Sequence, residues 1–154
     1  MKKYYIAYGS NLNLPQMQYR CPTAKIIGTA LIKDYELLFK GGFGYAYLTI
    51  EPKQGEQVPV AVWELETADE KSLDQYEGYP NFYYKKDMTV TVKDIQTGEE
   101  KVLDAFVYIM REEHKCSIPS MRYWETCLDG YRSFCFDEAV LRKAAIESER
   151  RCKE

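Results

Sequence analysis

His114 is the only histidine in the chain. It lies in the charged stretch Arg111-Glu112-Glu113-His114-Lys115 with no Ser or Cys partner in an activating local motif, so a solvated loop residue is expected and a His-based triad is not. The cysteines are five, an odd number: Cys21, Cys116, Cys127, Cys135 and Cys152. No two are spaced as C-x-x-C, which argues against a disulfide framework and against a zinc site, and leaves reduced, mostly buried thiols. Long apolar runs are missing too. Nothing approaches the roughly 20 residues of a membrane span, and the N-terminus lacks the apolar core of a signal peptide. No membrane partner is expected, and the chain should be cytoplasmic. Concentrated positive charge is also lacking: the densest basic group, Arg150-Arg151-Lys153, is interleaved with Glu147, Glu149 and Glu154, and the net charge is -3. A nucleic-acid partner is therefore not expected.

What the chain has in excess is tyrosine, 14 residues against 6 Phe. A packed core needs only the ring, whereas a buried hydroxyl requires a partner, so the excess points to a cavity or surface that uses the hydroxyl tips. A tyrosine-rich barrel exterior would read the same way. The length of 154 residues fits one domain spanning 1–154, and 45% apolar with 29% charged residues describes a chain able to bury a core.

Strand-like runs fill the first two thirds: Tyr4–Ala7, Ala24–Ile32, Tyr35–Phe39, Tyr45–Glu51, Val58–Glu66, Phe82–Lys93 and Lys101–Met110. Thr89-Val90-Thr91-Val92 alternates strictly, and Gln96-Thr97-Gly98 predicts a hairpin turn between the last two. A short helix is expected over Asn13–Tyr19. Thr67-Ala68-Asp69-Glu70 has the form of a capping box opening a helix that reaches about Tyr76, with Gly78 ending it and Pro80 barring continuation. Later, Ser120–Arg132 reads as a helix closed around Gly130, and Asp137 as the cap of a last helix through about Arg151. Many short strands with three or four helices imply an α+β fold, a small mixed β-barrel with flanking helices.

Two segments carry chemistry. In Tyr8-Gly9-Ser10-Asn11-Leu12, just past the first strand, Gly9 is free to adopt dihedrals closed to other residues, and clustered backbone N–H groups suit a carboxylate or oxyanion. An ordinary turn, with Asn11 or Asn13 capping the next helix and Pro15 in its first turn, fits the same residues. The second segment ends in Glu77, a carboxylate at the negative end of a helix dipole, where Lys or Arg would sit better. That field, and burial among Tyr76, Tyr79, Phe82 and Tyr83, would raise its pKa toward that of a general base working near neutral pH. A solvated Glu at a frayed helix end is the alternative.

Taken together, Tyr8-Gly9-Ser10-Asn11-Leu12 and Leu73-Asp74-Gln75-Tyr76-Glu77-Gly78 resemble the γ-glutamylcyclotransferase-like family, in its small bacterial form. The resemblance implies a compact barrel with an active-site cavity at its mouth, no cofactor, and a small γ-glutamyl substrate held by Tyr8, Gly9, Ser10, Asn11 and Leu12. It implies Glu77 as the catalytic acid/base. A Tyr a few residues beyond is expected, either Tyr83 or Tyr84. Ala105-Phe106-Val107-Tyr108-Ile109-Met110 matches the late strand, with Tyr108 as a cavity tyrosine. Pro119-Ser120-x-x-Tyr123 places Tyr123 near the substrate, and Gly130-Tyr131-Arg132-Ser133-Phe134 looks structural. The implied reaction cyclises a γ-glutamyl group to 5-oxoproline and frees an amine. A binding module that keeps the cavity without turnover is the alternative. The oligomeric state, the amine released and the role of the last helix are not given by these motifs.

Overall fold

The computed structural model describes residues 2–154. Five strands close into a barrel in the order β1-β3-β2-β4-β5: β1 (Lys3–Ala7), β2 (Lys25–Gly42), β3 (Tyr45–Leu65), β4 (Tyr83–Asp94) and β5 (Glu100–Met110). Neighbours are antiparallel except at the closing seam, where β1 runs parallel to β5 through Tyr5↔Phe106 and Ile6↔Val107. Helices α1 (Leu14–Arg20), α2 (Thr67–Glu77), α3 (Met121–Ser133) and α4 (Glu138–Cys152) flank it. The architecture is the expected α+β barrel. Its strands are fewer and longer than the runs suggested. Ala24–Ile32 and Tyr35–Phe39 join in β2, because Asp34 takes a left-handed conformation (φ 62°) at a register shift between Lys33 and Tyr35. The ladder bends at that bulge without ending. In the same way β3 unites Tyr45–Glu51 with Val58–Glu66.

Two helix boundaries also differ from the sequence reading. The capping box of α2 is Glu66 with Asp69, one residue earlier than Thr67 with Glu70; the Glu66 amide donates to Asp69 Oδ2 at 3.0 Å. Asp69 can hold this place because it is buried, where it also accepts from the Thr23 hydroxyl at 2.6 Å. Gly130 lies within α3 and does not close it. A Cβ there would stand 2.7 Å from Leu12 Cβ and 2.8 Å from the Leu12 carbonyl carbon, so glycine lets the helix seat against the Gly9–Leu12 turn. The last helix, α4, packs on β2. Leu141, Ala144 and Ser148 form its buried stripe, and Ser148 Oγ accepts from the Phe39 amide at 2.9 Å. Of the thiols, Cys21 and Cys127 are buried, Cys116 is half-buried, and Cys135 and Cys152 are exposed, so the expectation of mostly buried cysteines does not hold. Among the described residues no helix is long and apolar enough to cross a membrane.

Candidate active site

The chain leaves β1 into a single 3-10 turn, Ser10–Leu12, fixed by Leu12 N–H to Gly9 O and Asn13 N–H to Ser10 O, both 3.0 Å. Asn13 then caps α1, accepting from the Gln16 amide at 3.2 Å, so the capping role falls to Asn13 and not to Asn11. The Asn11 side chain instead donates to the Tyr5 hydroxyl at 2.8 Å and accepts from Arg20. Leu12 departs from expectation: its amide is spent within the turn and its side chain is fully buried in the core. The amides of Gly9, Ser10 and Asn11 meet no acceptor among the described residues. These three N–H groups are the ones left for a ligand.

Glu77 is the last residue of α2. Gly78 follows in the left-handed conformation (φ 63°), and the Tyr79 amide returns to the Asp74 carbonyl at 2.9 Å, which stops the helix. Leu73 anchors the helix in the core. Asp74 accepts from the Tyr108 hydroxyl at 2.5 Å and pairs with Lys85 at 2.8 Å, while Lys85 also reaches Glu70 at 2.6 Å. The Glu77 carboxylate, by contrast, has no hydrogen-bond or ion-pair partner among the described residues. Burial pushes its pKa up from 4.5 to about 8, partly opposed by the Arg20 guanidinium. Arg20 lies over the Tyr76 ring, 3.5 Å from its centroid.

Both segments open into one cavity of about 390 Å³, lined by Gly9, Ser10, Asn11, Gln75, Glu77 and Gly78 together with a set of aromatic rings. That volume suits a small ligand. Three of the rings are fastened to the backbone of one β3 residue, Leu48. The Leu48 carbonyl accepts from Tyr83 at 2.7 Å, with the Tyr8 hydroxyl at 3.4 Å, and the Leu48 amide donates to the Tyr123 hydroxyl at 3.0 Å. Tyr8 donates chiefly to the Tyr108 carbonyl at 2.7 Å. Burial raises the pKa of Tyr5, Tyr8, Tyr83, Tyr108 and Tyr123 above the ordinary tyrosine value, so every hydroxyl stays protonated. They divide by what each does with that proton. Tyr8, Tyr83 and Tyr108 give theirs to the protein. Tyr5 and Tyr123 accept hydrogen bonds, and neither finds an oxygen or nitrogen acceptor for its own O–H among the described residues.

Of the residues expected at the site, Tyr8, Gly9, Ser10, Asn11, Glu77, Tyr83, Tyr108 and Tyr123 all line this cavity, and Leu12 does not. Between the adjacent tyrosines, Tyr83 faces inward, whereas Tyr84 points outward to hydrogen-bond Glu112. Tyr76 and Phe82, expected around Glu77, line it as well and Tyr79 does not, while Tyr5, Tyr47, Leu48, Gln75 and Gly78 line it and were not expected there. The tyrosine excess was the one signal for the two tyrosines among them. His114 lies in the loop after β5, half-exposed and outside the lining as expected, with its ring packed on Phe82 at 4.7 Å between centroids. No group of three or more His, Cys, Asp or Glu side chains among the described residues could hold a metal ion.

A protein-family model described as gamma-glutamyl cyclotransferase, AIG2-like matches residues 5–126, which takes in both segments. The chain belongs to this family. Human and mouse proteins named gamma-glutamylcyclotransferase are each 29% identical over 126 residues, covering 77% of this chain. The chain spans 64% of the length of each, a little under two thirds. Among solved structures, a gamma-glutamyl cyclotransferase superposes with a TM-score of 0.79 at 24% identity, over 94% of this chain and 86% of the other. YkqA from Bacillus subtilis gives 0.76 at 15% identity, over 96% of this chain and 54% of the other. These two likenesses establish the family's barrel. Each covers more of this chain than the matched segment 5–126 does.

Proposed function

We propose that the chain is a cyclotransferase acting on a small γ-glutamyl compound, with Glu77 as the group that moves the proton. The observation that carries this reading is the state of the Glu77 carboxylate. Among the described residues it has no partner; its pKa is pushed up to about 8, and it shares a cavity with three backbone amides that meet no acceptor among those residues. A structural carboxylate in such a place would be paired; a proton carrier has to be left free.

The α-carboxylate of the glutamyl group, or the oxyanion that develops at its γ-carbonyl, binds the amides of Gly9, Ser10 and Asn11. Glu77 takes a proton from the α-ammonium. The freed nitrogen attacks the γ-carbonyl carbon, forming the ring C–N bond. As the tetrahedral intermediate collapses and the bond to the leaving nitrogen breaks, Glu77 hands that nitrogen the proton it took. The second proton shed by the ring nitrogen also leaves on the amine, which departs as its ammonium form. One carboxylate serves both directions, no water is consumed, and the products are 5-oxoproline and an amine. The fixed tyrosine rings hold the chain bent, and holding reacting groups in a near-attack arrangement can supply roughly 7–11 kcal/mol of the barrier.

The test is release of 5-oxoproline from a panel of γ-glutamyl dipeptides and γ-glutamylamines. Glu77→Gln should retain binding and lose about 10²–10⁴-fold in kcat, since the amide cannot accept the proton. Turnover of that variant near the parent rate would overturn the role of Glu77. Binding without any 5-oxoproline release would make the protein a γ-glutamyl-binding module instead.

A further inference from the structure

The cavity changes character from its floor to its mouth. Tyr8, Ser10, Asn11 and Tyr83 are buried, whereas Tyr47 is 39% and Tyr76 is 43% exposed. A γ-glutamyl group whose carboxylate meets the Gly9–Asn11 amides occupies the floor, and its leaving group must extend toward the exposed rings. On that side Tyr47 stands edge-on to both Tyr123 (centroids 5.0 Å) and Phe82 (6.3 Å), a preformed wall of interlocked rings. Tyr45, two residues back and so on the same face of β3, is 73% exposed and carries the aromatic surface outward.

No Lys, Arg or His among the described residues lines this cavity. Around it, Arg20 is engaged by Asn11, Gln16 and the face of Tyr76, Arg111 beside Phe82 is engaged by the Pro80 carbonyl, and His114 packs on the Phe82 ring outside the lining. Lys85, behind Tyr108, is engaged by Glu70 and Asp74. A γ-glutamyl amino acid carries a second carboxylate on its leaving group. Against this wall that charge would lose water and gain only neutral donors, Tyr47 and Gln75. An uncharged apolar or aromatic amine loses nothing comparable and covers the rings.

We propose that Tyr47 and Phe82 form the leaving-group subsite, and that it selects γ-glutamyl amides of apolar or aromatic amines over γ-glutamyl amino acids. The inference rests on the cyclotransferase reading and narrows it. The experiment compares γ-glutamyl-phenethylamine with γ-glutamyl-phenylalanine, which differ only in the carboxylate, and adds γ-glutamyl-methylamine with γ-glutamyl-glycine as a pair lacking the ring. The phenethylamide should exceed the dipeptide by more than about tenfold in kcat/KM, and should exceed the methylamide, chiefly through KM. Tyr47→Arg, which sets a cation in the wall, should shift the phenethylamide-to-dipeptide ratio at least about tenfold toward the dipeptide. The wild-type ratio decides even if that variant fails to fold. Release of 5-oxoproline with the dipeptide equal to or better than its amide overturns this inference alone. No release from any of the four compounds overturns the cyclotransferase reading beneath it.

Discussion

Glu77 shows how one side chain can be legible in sequence while its surroundings are not. An acid at the C-terminal end of a helix, directly before glycine, is a local anomaly and can be seen without coordinates. Arg20, which moderates that acid, lies 57 positions away and announces nothing. Tyr5 and Tyr47 are likewise placed by the barrel and not by any spacing along the chain. The raised pKa has consequences at two levels. In catalysis, kcat/KM should climb with pH toward an inflection near 8 as Glu77 ionises; a flat profile between about pH 5 and 8 would contradict an elevated base. In stability, the folded protein holds a proton that the unfolded chain releases near 4.5, so the stabilisation is complete below 4.5 and is lost as pH rises through about 8. Glu77→Gln, which cannot ionise, should therefore gain stability relative to the parent between pH 5 and 9, read as a growing difference in urea midpoint. A constant difference across that range would mean that the carboxylate is better solvated than its position indicates.

Among the elements, α3 and the Gly9–Leu12 turn form a unit whose fit depends on the absence of a side chain at Gly130. The sequence marked Gly130-Tyr131-Arg132-Ser133-Phe134 as structural, and that is how it serves, but glycine late in a helix pattern reads as a stop. Only the neighbouring turn explains it as a point of close approach, and a partner more than a hundred residues earlier leaves no trace in local periodicity. Gly130→Ala would press a methyl against the Leu12 backbone, which cannot yield as a side-chain tip would. The expected result is a loss of about 1–3 kcal/mol in chemical denaturation, with an additional fall in kcat because the displaced segment carries the amides proposed to bind the substrate anion. Unchanged stability would show that the turn has room to move. The one-residue error at the start of α2 has a similar origin. Thr67 with Glu70 and Glu66 with Asp69 are both plausible pairs, and burial of Asp69 against Thr23 chooses between them.

For the molecule as a whole, the fold class followed from counting strands and helices, while continuity did not. Turn-forming residues such as Lys33-Asp34 suggest breaks, yet a closed barrel absorbs them as bends because each half of β2 keeps its partner on β3. The closing helix shows how remote parts stabilise the barrel. Ser148 on α4 provides the acceptor for the Phe39 amide, and Phe39 in turn packs against Tyr123 and Trp124, with centroids 6.3 and 6.1 Å away. Ser148→Ala would leave that amide unsatisfied in the core, so unfolding free energy should fall by about 1–3 kcal/mol. An unaltered denaturation midpoint would mean that water reaches Phe39.

Three hydroxyls converge on the backbone of one residue, Leu48. Tyr8, Tyr83 and Tyr123 thus share one hinge pin, and none of the three can be repositioned without disturbing the other two. The outer rings hang from nothing of the kind. Under the proposed activity, directed evolution of this scaffold should find new released amines by altering the rim, and should find the demand for a glutamyl head far harder to relax.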